Sequence, residues 1–537
     1  MSIVLFSVSL FLSALLLFSV QPMVAKVLLP IYGGTPTVWT ICMLFFQLVL
    51  LGAYGYVFLL SQLKKPIYWR LIHSLLLGLT LFFIPFEFKP ISINSLPEWN
   101  ILYNLFTQLG LPLLILGASA PLLQFAFSQT KNKSASDPYF LYAASNMGSL
   151  LALLLYPWII ERFIGLNTQF YLWNYGLGFY ACLIGILVYA ISYNRPQTNR
   201  VQSAGDWSYK HLFLWIFLAF VPCSLMLGVT LYITTDIAAT PLFWVMPLAL
   251  YLLSFVFTFR QRAVISHDWV IKNSIFFLMF TIIGFILKPT QVFAWGLILV
   301  NLISFFILTL LCHRALYLKR PKTQELTLFY FCLSIGGMLA GVFNGIIAPH
   351  IFNQIYEYPI AIVLSLVILP IQNKAKGLWI VLGLLAVLLI AYIIPSIQWI
   401  DGFSNRQLGC MLALILIVIW RQNKATLLCG ISILLAFIFL PNVQDEDGFL
   451  LQQRSFYAVN RVVEKDSIHA FMSQSTVHGL QIMNATKGSD GFVAYYGPLK
   501  PIVESLKKQF DSMAVTIVGL GAGTIVCQFR DSDTIRA

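Results

Sequence analysis

Apolar runs of bilayer length recur along most of this chain, and that repetition leaves few folds open to it. A helix needs roughly 17–25 apolar residues to cross the hydrocarbon core of a membrane. Such runs lie near 3–20, 37–60, 66–86, 101–127, 138–160, 169–192, 211–234, 241–259, 269–287, 291–312, 326–348, 356–371, 377–397, 406–420 and 424–441, with 406–420 the shortest. The expected fold class is a polytopic α-helical membrane protein of about 14–15 spans carrying a small C-terminal α/β tail. Composition agrees: 59% of the 537 residues are hydrophobic and only 10% are charged, whereas a soluble chain carries about 25% charge.

The net charge of +13 is therefore not a nucleic-acid signal, because Lys and Arg lie mostly in short loops between the runs. Loops after even-numbered runs hold nineteen of them, among them Lys64, Lys65, Lys131, Arg195, Arg260 and Arg314, against five after odd-numbered runs: Lys26, Lys89, Arg162, Lys288 and Arg406. Basic loops stay in the cytoplasm, so the N-terminus is expected there, in a cell (inner) membrane. An odd number of spans then puts the tail on the other side, whereas a tail working on a cytosolic nucleoside needs an even number. The sequence leaves this conflict open. Residues 1–4 (MSIV) lack the basic stretch of a cleaved signal peptide, so the first run is expected to remain.

Seven of the eight cysteines (Cys42, Cys182, Cys223, Cys312, Cys332, Cys410 and Cys429) lie in or at apolar runs and read as small buried hydrophobes, with no metal spacing. Asp236 is the most conspicuous acid near a span. It reads as an interfacial cap with Thr235 and Pro241 as turn residues, the alternative being a cation or polyamine site. His313, between Cys312 and Arg314, reads as a snorkelling span end. The stretch 337–341 (GMLAG), with Gly336, has the spacing of close helix packing. Asn146 and Asn344 read as interhelical hydrogen-bond formers, with substrate contact as the alternative. Trp39, Trp69, Trp158 and Trp399 read as interface anchors.

After about Pro441 the pattern changes. Residues 442–448, with Asp445-Glu446-Asp447-Gly448, form a polar hinge between a membrane domain (1–441) and a tail domain (449–537). In a small β region, 454–497, the stretches 454–463, 467–473 and 476–483 alternate as antiparallel strands do, which puts His469 and His478 on sheet faces. Residues 498–510 have helical apolar spacing. The remainder of 498–537 holds 515–524 (VTIVGLGAGT), a strand running into a glycine turn and a helix start. Glycines there let a nucleoside approach the backbone, with helix N–H groups facing it.

Long stretches carry a resemblance: 18–47 (FSVQPMVAKVLLPIYGGTPTVWTICMLFFQ), 138–157 (PYFLYAASNMGSLLALLLYP), 221–259, Cys312-His313, 326–349, and in the tail 454–463, 476–481 and the glycine turn. The chain resembles bacterial integral-membrane proteins in which a multi-span, major-facilitator-like region is fused to a C-terminal spermidine synthase-like domain. The resemblance implies an aminopropyltransferase working on decarboxylated S-adenosylmethionine and putrescine, with the former a co-substrate and no cofactor held tightly. It implies nucleoside contacts at Gly519, Gly521, Gly523 and Gln481, and weaker substrate contacts at Asp490 and Tyr495. Against the family's pattern, His478, Gly491, Tyr496 and Ala522 replace an aspartate, a glutamate, a histidine and an acid. A ribose carboxylate is expected about 20 residues beyond the glycines. Asp531 and Asp533 stand too close to them and read as a frayed end, so the tail is expected to supply one parallel strand and an incomplete catalytic half. The expected partners are the lipid bilayer and polyamine or nucleoside small molecules, and not nucleic acid. The alternatives are a transporter or binder of polyamines or other cations through the spans, or a non-catalytic scaffold.

Overall fold

A computed structural model describes residues 2–63, 65–82, 96–130, 132–136, 138, 141–190, 209–237, 244–259, 263–287, 294–321, 325–371, 377–393, 404–439, 448–465, 468–473, 476–482, 499–517 and 523–536. Each of the fifteen apolar runs contains a helix. They are α1 (Ser2–Tyr32), α2 (Pro36–Ser61), α3 (Pro66–Leu81), α4 (Pro97–Ser128), α5 (Leu141–Leu155), followed by the short α6 (Glu161–Phe163), then α7 (Leu166–Ala190), α8 (Tyr209–Tyr232), α9 (Val245–Thr258), α10 (His267–Ile286), α11 (Ala294–Leu318) and α12 (Leu326–Val342). After the short α13 (Ala348–Ile351) come α14 (Glu357–Leu366), α15 (Gly377–Ile393), α16 (Asn405–Ile419) and α17 (Lys424–Phe439). Among the described residues, eight helices are long and apolar enough to cross a membrane by themselves, and five more are apolar but shorter. The chain is a multi-span helical membrane protein. The first helix runs past the expected end at residue 20 and contains Pro22 and Pro30, since neighbouring helices can satisfy the backbone groups that a proline frees.

The helices pack as two halves. One buried cluster draws on α1–α5 and α7, including Phe6, Phe45, Phe127 and Tyr180. The other draws mainly on α8–α12 and α14–α17, including Phe305, Tyr358 and Leu434. Each half is tied by a close crossing at a glycine. A Cβ on Gly148 of α5 would stand 2.3 Å from the Phe11 carbonyl of α1, and one on Gly336 of α12 would stand 2.4 Å from the Ile216 carbonyl of α8. Only glycine permits such an approach, which answers the small-residue spacing around 336–341.

Chain direction assigns the helix ends to two faces. On one face Lys26 pairs with Glu161 at 3.1 Å, Glu98 with His350 at 3.8 Å, and the Tyr356 hydroxyl donates to the Phe439 carbonyl at 3.4 Å. On the other, the Trp215 indole donates to the Lys319 carbonyl and Lys424 to the Val367 carbonyl, both at 2.8 Å; this face bears the basic-rich loops. Three π-helical turns, Tyr156–Ile160, Ile233–Ile237 and Phe343–Ile347, end α5, α8 and α12, all on the first face.

The small C-terminal part is an antiparallel meander, β1 (Gly448–Arg454), β2 (Val459–Lys465), β3 (Ile468–Ser473) and β4 (Thr476–Ile482), in the order β1-β2-β3-β4. The stretch 454–463, read as one strand, is the end of β1, a turn and the first part of β2. The Ser455 N–H donates to the Ala458 carbonyl at 2.9 Å and closes the turn. Gly448, assigned to the hinge, already pairs with Glu464. Helix α18 (Lys500–Gln509) leads to β5 (Ala514–Thr516), which pairs in parallel with β6 (Thr534–Arg536). The tail thus supplies two parallel strands instead of the expected one. Asp533 is not a frayed end: its carboxylate accepts from the Met513 and Arg530 N–H groups, both at 2.8 Å. Those N–H groups, Arg530's first, hold its carboxyl below the usual carboxylate range.

The meander sits on the first face. Arg454 forms a two-pronged pair with Glu357 (2.7 and 3.2 Å) and donates to the Gln354 carbonyl at 2.9 Å. Val459 is buried with Leu231 and Ile355, while Phe456 packs against the cluster of the N-terminal half. The sheet therefore touches both halves.

Candidate binding cavity

Of the tail residues implied by the resemblance, two are described, Gln481 and Gly523. Gly519, Gly521, Asp490 and Tyr495 lie outside the described residues. Gln481 is exposed in β4 opposite His469. Gly523 belongs to the other sheet's connection, where its φ of 73° begins a five-residue 3-10 helix, Thr524–Gln528, in place of the expected α-helix start. Asp236 lies in the π turn after α8.

What the helices do enclose is a cavity of about 180 Å³ at the seam between the halves. Its wall comes from α1, α2, α4 and α5 on one side and α8, α9 and α12 on the other. Most of it is apolar, as in ligand pockets generally. Gln21, Gln47, Asn146, Tyr142 and Tyr251 bring polar groups to it. The Gln47 amide donates to Cys223 Sγ at 2.9 Å, which links α2 to α8 across the seam.

The two ends of the cavity differ. Towards the sheet-bearing face, one turn beyond Met43 and Leu248 of the wall, Trp39 of α2 stacks on Trp244 just before α9, with ring centres 5.6 Å apart. Both indoles are buried, so Trp39 is a plug between the halves and not the interface anchor expected. Trp69 is buried as well, Trp158 is exposed as an anchor should be, and Trp399 lies outside the described residues. Towards the basic face the wall ends in aromatic rings from both halves, where Tyr142 stacks on Tyr330 at 6.1 Å and meets Phe255 edge-on at 6.3 Å.

Asn146 and Asn344, read alike from sequence, part company. Asn344 donates to Ser224 Oγ at 2.9 Å and to the Ala340 carbonyl at 2.8 Å, so it joins helices; Asn146 lines the cavity. His313 does not snorkel. It is fully buried, with Nδ1 2.7 Å from Ser254 Oγ and its ring stacked on Phe255 at 3.7 Å. Of the seven cysteines expected to be buried, Cys182 and Cys429 are exposed. Gln21 and Gln47, which sequence reading passed over, carried a signal: each is an amide inside an apolar run, and such groups are costly in a membrane unless they serve packing or a site.

A comparison with solved structures finds the crystal structure of a POT family transporter in complex with 5-aminolevulinic acid, 12% identical over 68% of this chain and 95% of that one, with a TM-score of 0.44. No family model and no curated protein matches the chain. The expectation of a membrane-bound spermidine synthase-like enzyme of polyamine biosynthesis is corrected here, the likeness found being to a solved structure titled as a transporter.

Proposed function

We propose that the chain is a membrane carrier for a small molecule, which occupies the seam cavity and crosses as the two helical halves tilt about it. The observation that supports this reading is the cavity itself: polar side chains held in an apolar wall, at the seam of two helical halves, plugged towards one face by a Trp pair contributed by both. Alternating access needs a site that each half can uncover in turn.

By the bias of basic loops, the face bearing Lys319 and Lys424 is cytoplasmic and the sheet-bearing face is not. This reading resolves the parity conflict: fifteen helical runs leave the tail outside the cytoplasm, where a cytosolic nucleoside does not reach it. In the same reading residues 1–441 are the carrier and 449–537 an appended domain.

The test is access to Cys223, which lines the cavity. In a variant with Cys182, Cys429 and Cys527 replaced by Ser, a carrier lets a small membrane-impermeant thiol reagent reach Cys223 in both right-side-out and inverted vesicles. Labelling from a single face, or from neither, rejects the carrier.

A further inference from the structure

We infer that the seam cavity accepts an uncharged molecule about the size of one ring that offers hydrogen-bond donors. Its use in transport rests on the carrier reading; its chemistry rests on the wall. Among the described residues, no Asp, Glu, Lys, Arg or His lines the cavity. An ion entering it gives up its hydration and meets no opposite charge, and that loss outweighs what neutral dipoles return. Of the acids at the sheet-bearing ends of the helices, Glu98, Glu161 and Glu357 are each already paired with a base.

Donor and acceptor bookkeeping sets the polarity of the ligand. The hydroxyls of Ser13, Ser149 and Ser334 all line the cavity, and each spends its hydrogen on its own helix: on the Leu10 carbonyl at 3.0 Å, the Ser145 carbonyl at 3.1 Å and the Phe331 carbonyl at 2.7 Å. They are left with oxygen lone pairs. Gln21 is 2% exposed and its Oε1 has no partner; the Oε1 of Gln47 has none either, its amide N–H being given to Cys223. Two buried amide oxygens in the wall, Gln21 Oε1 and Gln47 Oε1, thus stand without a donor. A ligand that brings N–H or O–H groups satisfies oxygens that otherwise pay for their burial.

The aromatic end argues against a cation cage. Such a cage needs open ring faces, yet Tyr142 is paired with Tyr330, ring centres 6.1 Å apart, and Phe255 is stacked on His313 at 3.7 Å.

Three probes of one shape and different charge test this: benzamide, benzoate and benzamidinium, titrated against the full chain in lipid nanodiscs and read by intrinsic Trp fluorescence and by protection of Cys223 from N-ethylmaleimide. Benzamide should bind at least ~10-fold more tightly than either ion. Gln21→Leu should weaken benzamide about 10-fold, the worth of one buried hydrogen bond. Gln21→Glu, which keeps the shape and adds a charge, should turn the preference towards benzamidinium. Tighter binding of either ion by the unaltered chain, or binding of none of the three, overturns the inference. Two-face labelling of Cys223 judges the carrier separately, since it needs no ligand.

Discussion

His313 shows what one residue's surroundings decide. Next to Arg314 at the end of an apolar run it reads as a membrane-surface histidine, yet α11 continues to Leu318 and draws the imidazole inside. There Ser254 and the face of Phe255 hold it, while Nε2 has no partner. His313→Ala leaves a hole against Phe255 and removes one of two partners of the Ser254 hydroxyl, which keeps its bond to the Tyr251 carbonyl, so we expect a loss of roughly 3 kcal/mol, seen as a lower unfolding midpoint in detergent. His313→Phe refills the hole and forgoes only the hydrogen bond, and should cost about half as much. Residues of this kind were half legible in the sequence. Gln21 and Gln47 stand out as amides in apolar runs, but that both belong to one cavity is a fact about α1 and α2 crossing the same seam, which no local pattern records.

At the scale of elements, the apolar runs were legible because a membrane offers the backbone so few choices, and every run became a helix. The π turns after α5, α8 and α12 were not, since a wider turn inserted in a helix answers to its neighbours more than to its own residues. The split of 454–463 was missed for a related reason: the alternation continues through the turn, and only pairing with a neighbouring strand reveals where the chain reverses. Two adjacent glycines make the point testable. A Cβ on Gly336 collides with the Ile216 backbone, whereas one on Gly337 has nothing within 4 Å and faces the cavity. Gly336→Val should force α12 off α8, cost more than about 3 kcal/mol and give little folded protein in size-exclusion chromatography. Gly337→Leu should elute and melt as the parent does while filling the cavity, so that labelling of Cys223 falls several-fold.

For the whole molecule, the telling contact joins residues 97 apart in sequence. Glu357 is fully buried and Arg454 nearly so, and nothing in the residues around either announces the other. Removing one partner from a buried pair leaves an uncompensated charge, a loss of about 3–5 kcal/mol. Arg454→Ala should therefore loosen the sheet from the bundle and let a protease cut within 440–447 several-fold faster, with the helices still folded. Glu357→Gln paired with Arg454→Met should restore much of the resistance. The nucleoside site implied by the glycine turn was the least secure part of the sequence reading, because a strand and a turn are shared by many folds and chemistry resides in the groups they bring together.

The meander rests on both halves at once, Phe456 on the first and Arg454 with Val459 on the second. Tilting the bundle apart on that side obliges the sheet to let go of one of them. In the proposed carrier cycle that contact has to break at each opening, so a protein cut short before residue 448 should run faster outward than the intact chain.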